Sequence, residues 1–229
     1  MKLNEAREKL NEISNRPFDI IFSPEDLKTI RINKGKTGQL LELALGMNLS
    51  TTNLDFEDGE LKTNKCDAHG NPKETIFITQ INSIIDDLIE NRPFEETRLY
   101  EKISNILYVP VCKDGPTADW MFLPSIQINI EDSAYSELKN LWKNDYNSIC
   151  NQLREHIENS QDGFIHTSSG EHLQVRSKDS KNKLGNYNPI FSKIYNRHVS
   201  NKNHAFYFKK SFVEDIKRIS IEKNSQLIK

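Results

Sequence analysis

The sequence predicts an α/β fold, from three local patterns. Apolar residues recur at helical spacing in the opening segment and across the long stretch Tyr135 to Asn159. Strand-like pieces lie between them, above all the apolar run Ile106-Leu107-Tyr108-Val109-Pro110-Val111. Glu74 to Ile81 alternates, with Ile76 and Ile78 on one face and Thr75, Phe77 and Thr79 on the other.

In order, Leu3, Ala6, Leu10 and Ile13 share one helical face. Ser23-Pro24-Glu25-Asp26 is a helix start, with a capping serine, proline at the first helical position and acids in the first turn. A short helix follows through Ile30, and Asn33-Lys34-Gly35 reads as a turn. Thr37 to Leu45 reads as a buried helix stopped near Gly46. Leu54 to Phe56 and Glu60 to Thr63 read as strands joined through Glu57-Asp58-Gly59, a hairpin signal. Further helices are expected over Glu95 to Ile103 and Tyr135 to Asn159, the latter turning Leu138, Leu141, Trp142, Ile149, Leu153 and Ile157 inward. Trp120 to Ile130, His172 to Arg176 and Ala205 to Phe208 read as strands, Lys178 to Tyr187 as a polar loop, and Ser211 to Ile219 as a closing helix.

The 229 residues suffice for one large domain or two lobes with a real core. The apolar runs are too short to span a membrane, and the first residues lack the apolar core of a signal peptide. Three widely spaced cysteines with no Cys-x-x-Cys pair argue for reduced thiols in a cytoplasm rather than a disulfide frame or zinc site. The net charge of −2 hides an asymmetry: His172 to Lys229 holds 13 Lys and Arg against 4 Asp and Glu, a balance of +9, so the preceding residues carry −11. A basic C-terminal quarter suits an anion-binding face; an ordinary lysine-rich tail is the alternative.

The stretch richest in chemistry is Asn53-Leu54-Asp55-Phe56-Glu57-Asp58-Gly59-Glu60-Leu61-Lys62-Thr63. Residues two apart on a strand share a face, so Glu60 and Lys62 project together with Leu61 behind them. A hairpin would return Asp55 beside Glu60. Two carboxylates and an ammonium at one spot suit phosphodiester hydrolysis: carboxylate oxygens hold Mg²⁺, and the lysine positions water and offsets growing charge. An acidic surface hairpin is the plainer alternative. Glu42, inside an apolar run, either faces the metal or Lys62, or lies on the exposed face of its helix.

An ordered set of blocks resembles the catalytic lobe of the MutH-like DNA endonucleases, a branch of the PD-(D/E)XK nucleases that includes mismatch-repair MutH and related type II restriction endonucleases. The blocks are Lys34-Gly35-Lys36-Thr37-Gly38-Gln39-Leu40-Leu41-Glu42, then Asp55 with Glu60-Leu61-Lys62-Thr63, Lys73-Glu74-Thr75-Ile76-Phe77, and Ile106 to Val111. Gly170-Glu171-His172-Leu173-Gln174-Val175-Arg176 and Phe206-Tyr207-Phe208-Lys209-Lys210-Ser211-Phe212 complete it. The resemblance implies a restriction-endonuclease-like mixed central sheet flanked by helices. It also implies a single domain over 1–229, with a catalytic lobe over about 1–130, a recognition lobe over about 131–229 and a DNA-binding cleft between them.

It further implies roles. Asp55 and Glu60 bind Mg²⁺ (Mn²⁺ as substitute) together with the Leu61 carbonyl. Lys62 is the catalytic lysine and Glu42 the helix-borne acid. Lys102 is a further active-site lysine, or else an ordinary helix lysine. Arg176 reads a base edge, Tyr207 senses adenine methylation or is simply a half-buried strand tyrosine, and Lys178, Lys209 and Lys210 contact phosphates. Two departures stand out. The Asp55 to Glu60 gap is two residues shorter than MutH has, which makes Asp58 a substitute ligand. Arg176-Ser177-Lys178 replaces the family's Arg-Pro-Lys in the recognition region.

Double-stranded DNA is the implied partner. A type II restriction enzyme cuts both strands as a homodimer or by successive nicks; a mismatch-repair nickase answers to a MutL-type partner. The departure at Ser177 favours restriction. A non-catalytic DNA-binding module on the same fold is the alternative from another class.

Overall fold

A computed structural model describes residues 1–32, 37–47, 54–179, 181 and 184–227, without the side chains of 29–32 and 224–227. The expected Asn33-Lys34-Gly35 turn, Lys36 of the first resembling block, and Ser180, Asn182 and Lys183 of the polar loop lie outside the described residues. The helices are α1 (Leu3–Ile13), α2 (Phe18–Ile21), α3 (Pro24–Ile32), α4 (Thr37–Ala44), α5 (Ile85–Ile89), α6 (Arg98–Ile103), α7 (Ser136–Asn159) and α8 (Lys210–Leu227). The strands are β1 (Glu60–Cys66), β2 (Ile76–Gln80), β3 (Asn105–Cys112), β4 (Met121–Phe122), β5 (Ile126–Asn129), β6 (Ser168–Ser169), β7 (Leu173–Ser177), β8 (Ile190–Ser192), β9 (Arg197–Ser200) and β10 (His204–Phe208). Among the described residues no helix is long and apolar enough to cross a membrane.

The chain divides into two compact units: Met1–Thr75, Ser104–Asn129 and Val213–Lys229 form the first, Ile76–Ile103 and Ile130–Phe212 the second. The lobes expected on either side of residue 130 are consecutive, whereas these units interleave. The cause is pairing: β2 joins β10 within the second unit, and Lys217 of α8 donates to the carbonyls of His69 and Gly70 within the first.

In the first unit β1 pairs in parallel with β3, which pairs antiparallel with β4 and β5. This is the mixed, helix-flanked sheet the sequence implies. Leu61, Leu107, Val109 and Val111 enter a core with Leu3, Ala6 and Leu10 of α1 and Leu40 and Leu41 of α4. Phe18, Phe22, Trp120 and Phe122 close one end of it with edge-on and tilted ring contacts. The start of α3 is a capping box: Ser23 Oγ accepts the Asp26 N–H and the Asp26 carboxylate accepts the Ser23 N–H. Helix α4 ends in a Schellman turn. Gly46 (φ 75°) donates to the Leu43 carbonyl and Met47 to that of Glu42, while Lys9 Nζ caps the Leu45 carbonyl at 2.9 Å.

Three elements differ from expectation. Residues 54–58 form bends rather than a strand, so the hairpin is absent and β1 finds its partner in β3. The Asp55 carboxylate takes the Leu61 N–H at 2.9 Å and Phe56 N–H bonds the Gly59 carbonyl at 2.9 Å, which curls the segment too tightly for a ladder. Trp120 to Ile130 is two short strands, parted at Pro124, which has no N–H to donate. Glu95 to Ile103 breaks at Thr97, whose hydroxyl accepts the Tyr100 N–H and so starts α6 afresh.

In the second unit β2, β10, β7 and β6 form an antiparallel sheet, and β8 and β9 a separate hairpin. Long α7 buries Leu138, Trp142, Ile149, Leu153 and Ile157 as expected; Leu141 is only half-buried. Trp142 meets Phe208 of β10 at 5.0 Å, and Phe208 stacks on Phe212. Asp145, 4% exposed in the middle of α7, accepts the backbone N–H groups of Glu171, His172 and Leu173 at 2.7, 2.7 and 2.8 Å. One carboxylate thereby fixes where β7 begins. Gly170 allows the approach: a Cβ there would lie 2.0 Å from Asp145 Oδ1.

Asp145→Ala strands those three donors and should lower unfolding free energy by about 3 kcal/mol; an unchanged urea midpoint would contradict this. Gly59→Ala would set a Cβ 2.5 Å from the Asn105 carbonyl oxygen, under the bend that holds Asp55. A loss of about 1–3 kcal/mol is expected, read in the same denaturation experiment.

Candidate functional site

The candidate centre is built on β1, the bend before it and α4. Because the β1–β3 register puts Leu61 into the core, Glu60 and Lys62 share the opposite face, beside Ile106 and Tyr108. Their side chains meet: Lys62 Nζ lies 2.9 Å from Glu60 Oε2, with Glu60 1% and Lys62 9% exposed. Desolvating two charges offsets most of what their attraction returns, so such a pair is poor evidence for stability and better evidence for a site.

Asp55 joins them through the backbone, its Oδ2 accepting the Leu61 N–H. In a strand the N–H and C=O of one residue leave on the same side. The Leu61 carbonyl therefore projects from the same edge of β1 as the Asp55 carboxylate. The bend carrying Asp55 is fastened twice at Asp58. Asp58 Oδ1 accepts the Leu3 N–H at the start of α1, and Asn105 Nδ2 donates to the Asp58 carbonyl. Asp58, expected as a substitute ligand, is thus engaged in capping α1.

Glu42 comes from α4, which approaches β1 closely enough that a Cβ on Gly38 would lie 3.7 Å from Thr63 Oγ1. Its carboxyl is half-buried, and its pKa is raised first by burial, then by the charge of Asp55, with Lys62 pulling the other way. The charges of Asp55 and Lys62 thus both act on Glu42. Asp55, Glu60 and Glu42 do not form a group whose ligand oxygens all lie within 4.8 Å of one another. Two carboxylates with a carbonyl and water make the better-fitting oxygen set for a hard divalent cation. Lys102 is half-buried in the last turn of α6, in the second unit.

The residues expected to touch DNA lie in the second unit. One face of its sheet carries Leu173, Val175, Phe206 and Phe208, all fully buried; the other carries Arg176, Tyr207 and Phe77. The Arg176 guanidinium lies over the Tyr207 ring at 4.2 Å, Lys178 Nζ over the Phe77 ring at 3.2 Å, and the two rings meet edge-on at 5.8 Å. A register shift between Phe206 and Tyr207 skips Ile78 and sets Tyr207 opposite Phe77. Burial raises the Tyr207 pKa and Arg176 opposes the rise. Lys210 is exposed at the start of α8, whereas Lys209 Nζ donates to the Gly170 carbonyl at 2.9 Å, so its ammonium already serves the fold.

Beside this cluster opens a hollow of about 760 Å³, lined by Arg176, Lys178 and Tyr207 and also by Gln80, Asn188 and Asn203. Sequence reading missed the last three, and it missed Asp179. That carboxylate accepts the Asn203 N–H at 3.0 Å and both the backbone and side-chain N–H of Asn188 at 2.6 and 2.9 Å. The only sequence signal was the density of Asn and Asp in a loop, a turn signature without a partner named.

No curated protein matches the chain. One family model does, that of the DNA mismatch repair enzyme MutH, over residues 45–135. The matched segment contains Asp55, Glu60, Leu61, Lys62 and Lys102; Glu42 and the residues of the second-unit hollow fall outside it except Gln80 and Asn82. Across residues 45–135, the segment that carries the buried Glu60–Lys62 pair, the chain is MutH-like.

Proposed function

We propose that the protein is a magnesium-dependent, sequence-specific DNA endonuclease that hydrolyses phosphodiester bonds as a type II restriction enzyme. The supporting observation is the buried Lys62–Glu60 pair beside an Asp55 carboxylate hooked to the Leu61 N–H. Asp55, Glu60 and the Leu61 carbonyl would hold Mg²⁺ or Mn²⁺, an all-oxygen set that leaves positions for water and phosphate. The bound ion supplies Lewis-acid chemistry, lowering the pKa of water and offsetting charge on the phosphate.

The chain's own groups do the rest. Lys62, fixed by Glu60, orients the attacking water and donates to the phosphate oxygens as negative charge grows there. Glu42 shapes the field at the same centre, and Lys102 acts as a second lysine toward the phosphate. Attack in line forms a new P–O bond from water and breaks the P–O3′ bond, leaving a 5′-phosphate and a protonated 3′-hydroxyl. Arg176 pairs with guanine O6 and N7. Tyr207 contacts the adenine edge where methylation would be felt, and Lys178, Lys209 and Lys210 add phosphate affinity. Lys209 would have to exchange its Gly170 carbonyl for phosphate.

The restriction reading rests on Ser177 between Arg176 and Lys178. Purified protein with Mg²⁺ is expected to linearise unmethylated plasmid unaided, as a homodimer or by successive nicks. Nicking that depends on a MutL-type protein would assign it to repair instead, and sequence-specific binding with no cleavage in Mg²⁺ or Mn²⁺ would make it a DNA-binding module.

Glu60→Ala and Lys62→Ala are each expected to abolish cleavage while largely sparing DNA affinity. Substantial residual cutting by either contradicts the assignment. Each also strips a buried charge of this ion pair, so a stability loss of about 3–5 kcal/mol should accompany it, measured by denaturation. Arg176→Ala is expected to weaken discrimination at one base pair by about 1–3 kcal/mol. Unchanged preferences in a binding competition would remove Arg176 from the reading set.

A further inference from the structure

The hollow beside Arg176 contains a chain of hydrogen bonds with a fixed direction. The His204 N–H donates to Asn203 Oδ1 at 2.8 Å. A backbone N–H can only donate, so this bond decides which end of the Asn203 amide is oxygen. The other end, Nδ2, donates to Gln80 Oε1 at 2.7 Å. Gln80 is thereby held with its oxygen toward Asn203, and its Nε2 makes no hydrogen bond among the described residues. Asn203 is itself 6% exposed and tied by its N–H to Asp179, while Gln80 is exposed. The buried residue sets the orientation of the accessible one.

Register gives Gln80 its neighbours. Gln80 of β2 and Arg176 of β7 are both paired with Ala205 of β10, one on each side. Residues directly opposite across strands point to the same face. Gln80 and Arg176 therefore rise from one row, about 10 Å apart by two inter-strand spacings, with only a methyl group between them. Lys178 adds a third donor to the same hollow. A surface that presents amide, guanidinium and ammonium N–H groups matches the acceptor atoms of a base edge, O6 and N7 of guanine or O4 of thymine, more than their donors.

We propose that Gln80 is a specificity-determining residue that donates from Nε2 to acceptor atoms on a major-groove base edge, and that Asn203 is the positioning residue that keeps its amide so turned. This rests on the DNA endonuclease reading and adds to it a reader and a chemical preference. The row spacing sets Gln80's base pair within about three steps of the pair read by Arg176, at about 3.4 Å per step.

The test uses the full chain with Ca²⁺ in place of Mg²⁺, to bind without cutting, and a duplex DNA pool randomised at its centre. The wild type should select one motif. Gln80→Ala and Gln80→Glu should each relax selection about tenfold at one base pair, within three of the pair that relaxes in Arg176→Ala. Asn203→Asp removes the donor that holds Oε1. Gln80 should then turn its amide and shift that pair's preference toward donor-bearing cytosine or adenine edges. A uniform loss of affinity over all sequences would mean a merely structural Gln80 and overturn the proposal. So would a wild-type motif left unchanged by both Gln80 substitutions; in that case the endonuclease reading stands. A wild type that binds every duplex equally would remove sequence reading altogether, and this proposal with it.

Discussion

Seven consecutive pairings between β1 and β3, from Glu60 with Ile106 to Cys66 with Cys112, set which side chains of β1 turn inward. Leu61 enters the apolar core, and the even positions Glu60, Lys62 and Asn64 face the other way, where Tyr108 donates its hydroxyl to Asn64. A slip of one residue would drive an ammonium into the contact with α1 and α4 and carry Leu61 out of it. The hydrophobic cost of Leu61 alone, of the order of 2 kcal/mol, therefore defends the placement of the charged pair. The candidate centre is held by its uncharged neighbour more than by its own electrostatics.

Carboxylates do structural work throughout the second unit. Asp145 gathers three backbone donors at the entrance to β7, and Asp179 gathers three around the start of β10 and the loop holding Asn188. Both lie outside the acidic motif that draws the eye in the sequence. Their effect is to lock the two strands that carry Arg176 and Tyr207, so that the polar face of this sheet rests on carboxylate hydrogen bonds as well as on the aromatic packing of Trp142, Phe208 and Phe212 beneath it.

Period explains what was legible in advance. The two-residue spacing of Glu60 and Lys62, the alternation in β2 and the helical stripe of α7 are local signals, and each element formed. The Asp-Gly hairpin misled because a side chain, Asp55, took a backbone donor that the hairpin reading assigned to a strand partner. Asp145 gave no signal, since an acid in a polar helix reads as a solvated one until its partners some 27 residues away are known. Gln80 and Asn203 are 123 residues apart, and the bulge that lets β2 show both Gln80 and Phe77 on one face breaks the very alternation by which a strand is recognised. The three cysteines are all buried, and burial pushes the Cys66 thiol up to about 12.

The interleaving of the units bears on how the chain comes together during synthesis. When β1 leaves the ribosome its neighbour in the sheet has not been made, and the intervening chain supplies β2 and two helices to the other unit. Non-local parallel pairing of this kind is slow, and until it happens β1 presents an open edge. The first unit also waits for residues beyond Val213, so neither half of the molecule is complete in any N-terminal fragment that stops short of α8. A split of the gene near residue 130 would thus yield two polypeptides that each lack part of both cores, and maturation of the candidate catalytic unit is tied to a segment translated after the whole of the other unit.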